Sequence, residues 1–503
     1  MMTILQQPLH KTLSVVLANI VTLPTQYDVE VRGLTMDSRQ IKNGDLFVAI
    51  NGEEANGLDY IDAAIEAGAV AVVWDAQADV IPFSWSKYTT KNNKKIPLIA
   101  INNLKEKLAE LANVFYEQPS EKIDIVAVTG TNGKTSCVNF IAQALGTENK
   151  CGLIGTLGLG IYPELSVGTH TTPDVLTVHK TLADFVIQNA DYAAIEVSSH
   201  ALAQGRTDGV QIDTAIFTNL TQDHLDYHGT MDAYLNEKLK LFKYASLKTA
   251  IINMDDPHGV DFVNAATTAS IVTYSSIGNK DDVDIYASNI QYHAERSEFI
   301  LNTRQGSIKI SSNLVGDFNI SNLLAVCAYL QIKGFSLDDI AAKVNKIQPV
   351  VGRMQKIKAE GFPLVIVDYA HTPDALEHVL QTLIKQYQGN LTCVFGCGGE
   401  RDKDKRKKMG EIADQYADSI VLTNDNPRSE SAEKIIEQIM LGISTSKNVR
   451  VELERKKAII EAIKETNKNG CVVIAGKGHE TYQIIGDKKI NFSDIKVVEE
   501  FFS

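Results

Sequence analysis

Short apolar runs alternate with longer amphipathic stretches along most of the 503-residue chain, a pattern that predicts strands joined by helices. Asp45-Leu-Phe-Val-Ala-Ile50 reads as a strand, and Ile61-Asp-Ala-Ala-Ile-Glu-Ala-Gly68-Ala-Val-Ala-Val-Val-Trp74 as a helix that stops at glycine and leads into another strand. From Ile123 onward, Ile123–Val128, Ala193–Val197, Thr214–Thr218 and Thr249–Asn253 are short, mostly apolar runs suited to strands of a buried parallel sheet. A second such series follows Gly334: Leu364–Asp368, Leu391–Phe395, Ser419–Thr423 and Cys471–Ala475 each run into a turn rich in Gly, Pro or Asp. The carboxyl ends of those strands are where open α/β sheets bind ligands. The polar stretch from Lys87 to Lys95 reads as a surface loop, and the length accommodates about three domains.

Composition narrows the class. With 44% hydrophobic and 22% charged residues the chain is globular, and it has no apolar run of membrane-spanning length and no signal-like N-terminus, so a cytoplasmic protein is expected. A net charge of −13 argues against nucleic acid as a partner. The one basic run, Arg401 to Lys408, is interleaved with aspartates and reads as a solvated loop or helix face. The six cysteines (137, 151, 327, 393, 397 and 471) lie in apolar segments without metal-ligand spacing, as buried, reduced thiols do.

Chemistry concentrates after the strand ending at Val128. Thr129-Gly130-Thr131-Asn132-Gly133-Lys134-Thr135-Ser136 is a glycine-bracketed turn between a strand and a helix start, so backbone N–H groups and the helix dipole converge on one anion. Lys134 adds a point charge and Thr135 a hydroxyl for Mg²⁺; Val128 stands where the usual P-loop has its first glycine. Glu196 ends a strand and reads either as a ligand for a hard cation or as a capping carboxylate. Asp223, His224, Asp226 and His228 crowd six positions after another strand, a density that favours a metal or phosphate role. Gly396-Cys-Gly398-Gly399-Glu-Arg401 fails the dinucleotide fingerprint, because its third glycine would fall at Arg401, whose fork suits a carboxylate or phosphate.

The loop 129–135, Glu196-Val-Ser-Ser-His200, residues 218–228 and Leu314-Val-Gly-Asp-Phe-Asn319-Ile-Ser-Asn322 together resemble the Mur ligases, ATP-dependent amide-forming enzymes of peptidoglycan precursor synthesis. Gly352-Arg353-Met354, Asp368-Tyr-Ala-His371-Thr-Pro-Asp374, Asp425-Asn-Pro-Arg428 and Gly476-Lys-Gly-His-Glu480 resemble the branch that adds the third amino acid. The resemblance implies an α/β protein of three domains: a smaller N-terminal domain for a uridine nucleotide (1–104), a central P-loop ATPase with a mostly parallel sheet (105–346) and a C-terminal Rossmann-like domain for the amino acid (347–503). It implies a monomer that uses ATP and Mg²⁺ to join meso-diaminopimelate to a UDP-muramoyl dipeptide through an acyl phosphate.

Residue by residue, the resemblance places Gly130 to Ser136, Asn319, Asn322, Arg353 and His371 at ATP, with Asp374 in the same motif. Thr135 and Glu196 match ligands of one Mg²⁺ and His224 a ligand of a second, while Lys238 matches a lysine carrying a CO₂-derived carbamate. Read from its neighbours Lys240 and Lys243 alone, Lys238 would be solvated helix surface. Ser38 matches a uracil-side contact, and Thr171, Thr172, Ser198, Gln204 and Arg206 match contacts to the muramoyl peptide. Arg401, Asp425, Asn426, Arg428, Gly476 and Glu480 match the amino-acid site, with Arg428 gripping a distal carboxylate and Glu480 a distal ammonium; taken alone, Arg428 would read as a salt bridge to a surface acid such as Glu430. Asn56-Gly57-Leu58 departs from the family's Asp-Gly-His. The same reaction with L-lysine, a sister ligase, a small-molecule kinase and a nucleotide-dependent scaffold are the rival readings.

Overall fold

The structure, a computed structural model, describes residues 9–52, 56–76, 82–89, 95–146, 149–168, 170–277, 283–293, 296–387 and 389–503. The chain forms two compact units, residues 1–126 with 149–213, and residues 127–148 with 214–503.

In the first unit, Gly33–Thr35, Asp45–Ala49, Ala71–Ala76 and Lys95–Asn102 form a parallel sheet, and Phe83–Thr89 adds an antiparallel edge. Side chains alternate across it. Leu46, Val48, Val73 and Ile99 pack toward the helix Leu104–Tyr116, whereas Phe47, Ala49 and Val72 pack toward Ile61–Ala67. The expected loop from 87 to 95 is corrected here: residues 87–89 complete one strand, Lys95 opens the next, and residues 90–94 lie outside the described residues. Also in this unit, Cys151–Gly155 pairs with Gly158–Ile161 antiparallel and with Tyr192–Glu196 parallel.

The second unit begins within the strand Asp124–Thr129, which feeds the glycine turn and the helix Lys134–Leu145. Its first sheet runs parallel through Thr214–Phe217, Thr249–Asn253, Ser270–Ser275 and Ile285–Tyr292, then turns antiparallel through Ser297–Thr303 and Gly306–Ser312. The second sheet orders Gln355–Ile357, Leu364–Asp368, Cys471–Ala475, Leu391–Phe395, Ser419–Leu422 and Asn448–Val451, all parallel except the first. Ile366, Cys393, Phe395, Ile420 and Val473 face one helical layer, and Val365, Val367, Val394, Val421 and Val472 the other, so both faces are covered. All six cysteines are buried and unpaired by disulfides.

The basic run differs from the expected solvated face. Lys405 and Arg406 sit on the inner side of the helix Asp404–Tyr416 and are buried, because Asp223 and Glu430 offer them acidic partners.

Arg455 and Asp494 form a fully buried pair at 2.7 and 2.8 Å, and Arg455 also donates to the carbonyls of Asn424 and Ala475 at two strand ends. Asp494→Ala is expected to cost about 3–5 kcal/mol, since it strands a buried guanidinium. Urea denaturation of the variant beside wild type checks this.

Candidate functional site

The glycine turn is shaped by the loop that follows Thr214–Phe217. Thr131 N–H donates to Asn219 O (2.8 Å) and Asn132 N–H to Asn219 Oδ1 (2.9 Å), while Thr218 Oγ1 donates to Asn132 O (2.6 Å). Gly130 has φ +153° and a Cβ there would run into the Thr218 hydroxyl, so glycine is required. Gly133 has φ +90° and lies against Asn322 Oδ1. Lys134 Nζ curls back onto Gly130 O (2.7 Å) and Thr131 O (2.8 Å), which points its charge into the turn. Arg353 stacks over Tyr369 (4.5 Å) and donates through Nη2 to Thr135 Oγ1 (3.2 Å). Asp374 Oδ2 accepts from Asn132 Nδ2 (2.9 Å), tying the last sheet's first helix to the turn. Asn319 Nδ2 donates to Val315 O (2.8 Å), just ahead of the helix Asp317–Ile332 that carries Asn319.

Lys238 is not solvated surface. It is 1% exposed, lies 4.5 Å over the Tyr234 ring, and donates to Gly130 O at 2.9 Å. Burial, and then the Lys134 charge, hold its ammonium well below the ordinary lysine range. Nearby, His224, the residue that precedes the short helix Leu225–His228, takes a left-handed conformation (φ +55°). Asp223 is the buried hub: His224 lies 3.4 Å away, His371 3.7 Å and Lys405 4.0 Å. Burial alone would raise the Asp223 carboxyl, but His371, His224 and Lys405 outweigh it and keep it well below the usual carboxylate range.

At the carboxyl end of the last sheet, Asn426 Nδ2 donates to Glu480 Oε2 (3.0 Å), and the buried Lys477 donates to the same oxygen (2.6 Å) and to Asn426 Oδ1 (3.2 Å). Gly476 (φ +112°) leaves room for the Asp425 carboxylate, which a Cβ would meet at 2.6 Å. Arg428 has φ +52°, and its N–H and C=O are paired with Ile484 O (3.2 Å) and Gly486 N (2.8 Å). Among the described residues its guanidinium is engaged only through Nη1, to Gly399 O (2.6 Å) and Asn426 O (3.5 Å). Glu430 pairs with Arg406 and not with Arg428. Arg401 is exposed and reaches only the Glu400 carbonyl (3.2 Å) among the described residues.

The first unit gathers a separate set. Glu196 accepts from Thr156 N–H (2.8 Å) and Thr156 Oγ1 (3.0 Å), and its own carbonyl accepts from Thr172 Oγ1 (2.6 Å). Thr171 meets Thr156 Oγ1 (3.1 Å), Ser198 N–H donates to Thr172 Oγ1 (3.2 Å), and Arg206 bridges Thr172 O (2.7 Å) and Gln204 Oε1 (2.6 and 2.9 Å). Ser38 stands in its own turn, Ser38–Gln40, capped by Asp37. Asn56 caps the turn Gly57–Tyr60 by accepting from Leu58 N–H, so Leu58 leaves that local structure intact.

Sequence reasoning did not single out Thr156, Thr218, Tyr234, Lys405 or Arg406 as site residues. Only the buried partners of these side chains reveal them, except Thr218, whose place at a strand end beside the Asn219 turn was a usable signal. No cluster of three or more His, Cys, Asp or Glu side chains placed for a metal occurs among the described residues. Nor is any described helix long and apolar enough to cross a membrane.

Three family models match the chain: the Mur ligase family catalytic domain over residues 30–116, the Mur ligase middle domain over 128–330, and the Mur ligase glutamate ligase domain over 352–478. The chain is 43% identical over 473 residues to the UDP-N-acetylmuramoyl-L-alanyl-D-glutamate–2,6-diaminopimelate ligase of Coxiella burnetii, covering 93% of this chain and 95% of that one. Against the ligase of the same name from Chromobacterium violaceum it is 44% identical over 480 residues, covering 94% and 95%. A solved structure of a ligase of that name matches with a TM-score of 0.64 at 35% identity, over 94% of each chain.

Proposed function

The chain belongs to the Mur ligase family, and from that membership we propose that it joins meso-diaminopimelate to UDP-N-acetylmuramoyl-L-alanyl-D-glutamate, converting ATP to ADP and phosphate, in peptidoglycan precursor synthesis. A carboxylate is a poor electrophile. Its oxygen attacks the γ-phosphoryl group of ATP, giving an acyl phosphate and ADP; the amine of the amino acid then attacks the acyl carbon, and phosphate leaves from the tetrahedral intermediate. In the first step two anions meet, and the Lys134 ammonium, held at the mouth of the glycine turn, offsets their repulsion. Asn322 and Arg353 stand around the same turn and His371 beside Asp223; all three serve as nucleotide contacts, with Asn319 on the same helix as Asn322.

Lys238 fits a carbamate. A lysine adds CO₂ only as the neutral amine, and burial beside Lys134 favours that form. Thr135 and Glu196 would each offer Mg²⁺ an oxygen, His224 would serve a second Mg²⁺, and a carbamate oxygen on Lys238 would add an anionic ligand, so that charge between carboxylate and phosphate is neutralised. In the first unit, Thr171, Thr172, Ser198, Gln204 and Arg206 form a compact polar set suited to the muramoyl peptide, and Ser38 serves the uridine end.

The amino acid follows from Arg428. Pro427 precedes it and two backbone bonds hold it, so its fork is presented from a fixed turn, with Nε and Nη2 turned to no described partner. Those donors match the distal carboxylate of meso-diaminopimelate, whereas L-lysine would bring an ammonium to a guanidinium. Arg428→Ala is expected to lower kcat/KM for meso-diaminopimelate about 10–100-fold, the loss of one charge-assisted interaction of about 1.5–3 kcal/mol. Ligation with ATP, the UDP-muramoyl dipeptide and either amino acid, read by product mass for wild type and variant, tests the assignment. A wild-type preference for L-lysine would establish the alternative substrate.

A further inference from the structure

We propose that Arg406 and Glu430 are positioning residues for amino-acid selection, a pair of a buried guanidinium and a partly buried carboxylate that clamps together the two loops presenting Arg428. The inference rests on the substrate reading above. Arg406 is 0% exposed and sits on the inner face of the helix Asp404–Tyr416, so it reaches no ligand itself. Its Nη1 donates to Glu430 Oε2 (2.9 Å) and Gln438 Oε1 (2.7 Å), and its Nη2 to Glu430 Oε1 (3.1 Å) and Gly398 O (3.1 Å). Glu430 Oε1 also accepts the Glu400 N–H (2.5 Å). One carboxylate therefore ties the loop after Leu391–Phe395 to the loop after Ser419–Leu422. Arg406 is the bidentate partner that holds the carboxylate still.

The geometry carries the effect to Arg428. Gly398 O faces Arg406 while the next carbonyl, Gly399 O, faces Arg428 Nη1. The two arginines thus share one peptide ribbon. Gly399 N–H in turn donates to Asn426 O (3.0 Å), and a Cβ on Gly399 would strike Pro427 O, so the loops touch at backbone level. Arg428 adopts φ +52°, a conformation that is strained for a non-glycine residue and persists only where its surroundings over-determine it. The Arg406–Glu430 pair supplies part of that constraint. Loosening it lets the ribbon shift, and a misplacement of about 1 Å in a binding group is felt strongly.

Glu430→Gln is the gentler variant, since the Glu430 side chain is 21% exposed and the shape is kept. One oxygen then remains for three donors, and the new amide nitrogen faces the guanidinium. Arg406→Lys keeps the charge and removes the fork. For both, KM for meso-diaminopimelate is expected to rise about tenfold and its preference over L-lysine to fall similarly, while KM for ATP and for the UDP-muramoyl dipeptide stays within about twofold. Melting temperatures are measured alongside; if Arg406→Lys does not fold, Glu430→Gln decides alone. A folded Glu430→Gln enzyme with wild-type amino-acid KM and selectivity overturns the proposal, as does an equal rise in all three KM values. If wild type itself prefers L-lysine, the substrate reading fails separately, and the pair is then judged by whether the variants lose that preference.

Discussion

Lys134→Ala is expected to lower ATP-dependent ligation about 10³–10⁵-fold, the range found when a single cation is removed from a phosphoryl-transfer site. The argument is one of charge. Lys134 Nζ is anchored by Gly130 O and Thr131 O, so its ammonium is in place before any phosphate arrives and needs no reorganisation during the reaction. Alanine leaves the glycine turn itself intact, because its shape comes from Thr218 and Asn219 and from the left-handed glycines. Lys134 is only partly buried, and Gly130 O keeps the bond from Lys238, so stability changes little. Turnover is followed by ADP release and product mass, with circular dichroism and a melting curve to confirm folding. Undiminished turnover in the folded variant would overturn the role of the turn as the phosphate site.

What the sequence disclosed and what it withheld divide along physical lines. Continuous apolar runs such as Leu364–Asp368, Leu391–Phe395 and Cys471–Ala475 carry their own burial on both faces, and each is a strand within those bounds. The glycine turn was readable because backbone conformation constrains residue type directly. The antiparallel strands Ser297–Thr303 and Gly306–Ser312 were missed, since their outer faces are polar and weakly patterned. Buried cations are equally hidden from the sequence pattern. Arg406 lies in a run of charges that looks solvated, and only Glu430, Gln438 and Gly398, brought from other loops, make its burial tolerable. Candidate-site residues were identified mainly by the family's motifs; their partners, such as Asp374 on Asn132 and Lys477 on Glu480, depend on tertiary contacts that spacing does not encode.

Lys238→Ala is expected to abolish ligation as completely as loss of Lys134, with partial recovery when short carboxylic acids are added. On the helix Met231–Leu239, Lys238 is one turn after Tyr234 and shares its face, and the Tyr234 hydroxyl meets Thr131 Oγ1 at 3.1 Å. That contact draws the whole face, lysine included, beneath the glycine turn. A buried ammonium 2.9 Å from one carbonyl, beside the charge of Lys134, is a costly structural choice. A carbamate resolves it, turning a repelling cation into an anionic oxygen ligand opposite Lys134. The pH dependence has a definite sign. The folded-state pKa of Lys238 is lowered below its ordinary 10.5, so in the window beneath 10.5 the unfolded chain binds more protons at this group than the folded, CO₂-free enzyme; the lysine therefore destabilises the fold as pH falls below 10.5 and ceases to do so above it. Lys238→Met should therefore be more stable than wild type in CO₂-free buffer at neutral pH, yet inactive, and bicarbonate should raise wild-type activity without affecting the variant. Normal ligation by Lys238→Ala without added carboxylate, or indifference of wild type to rigorous CO₂ removal, would show that the lysine acts as a bare amine.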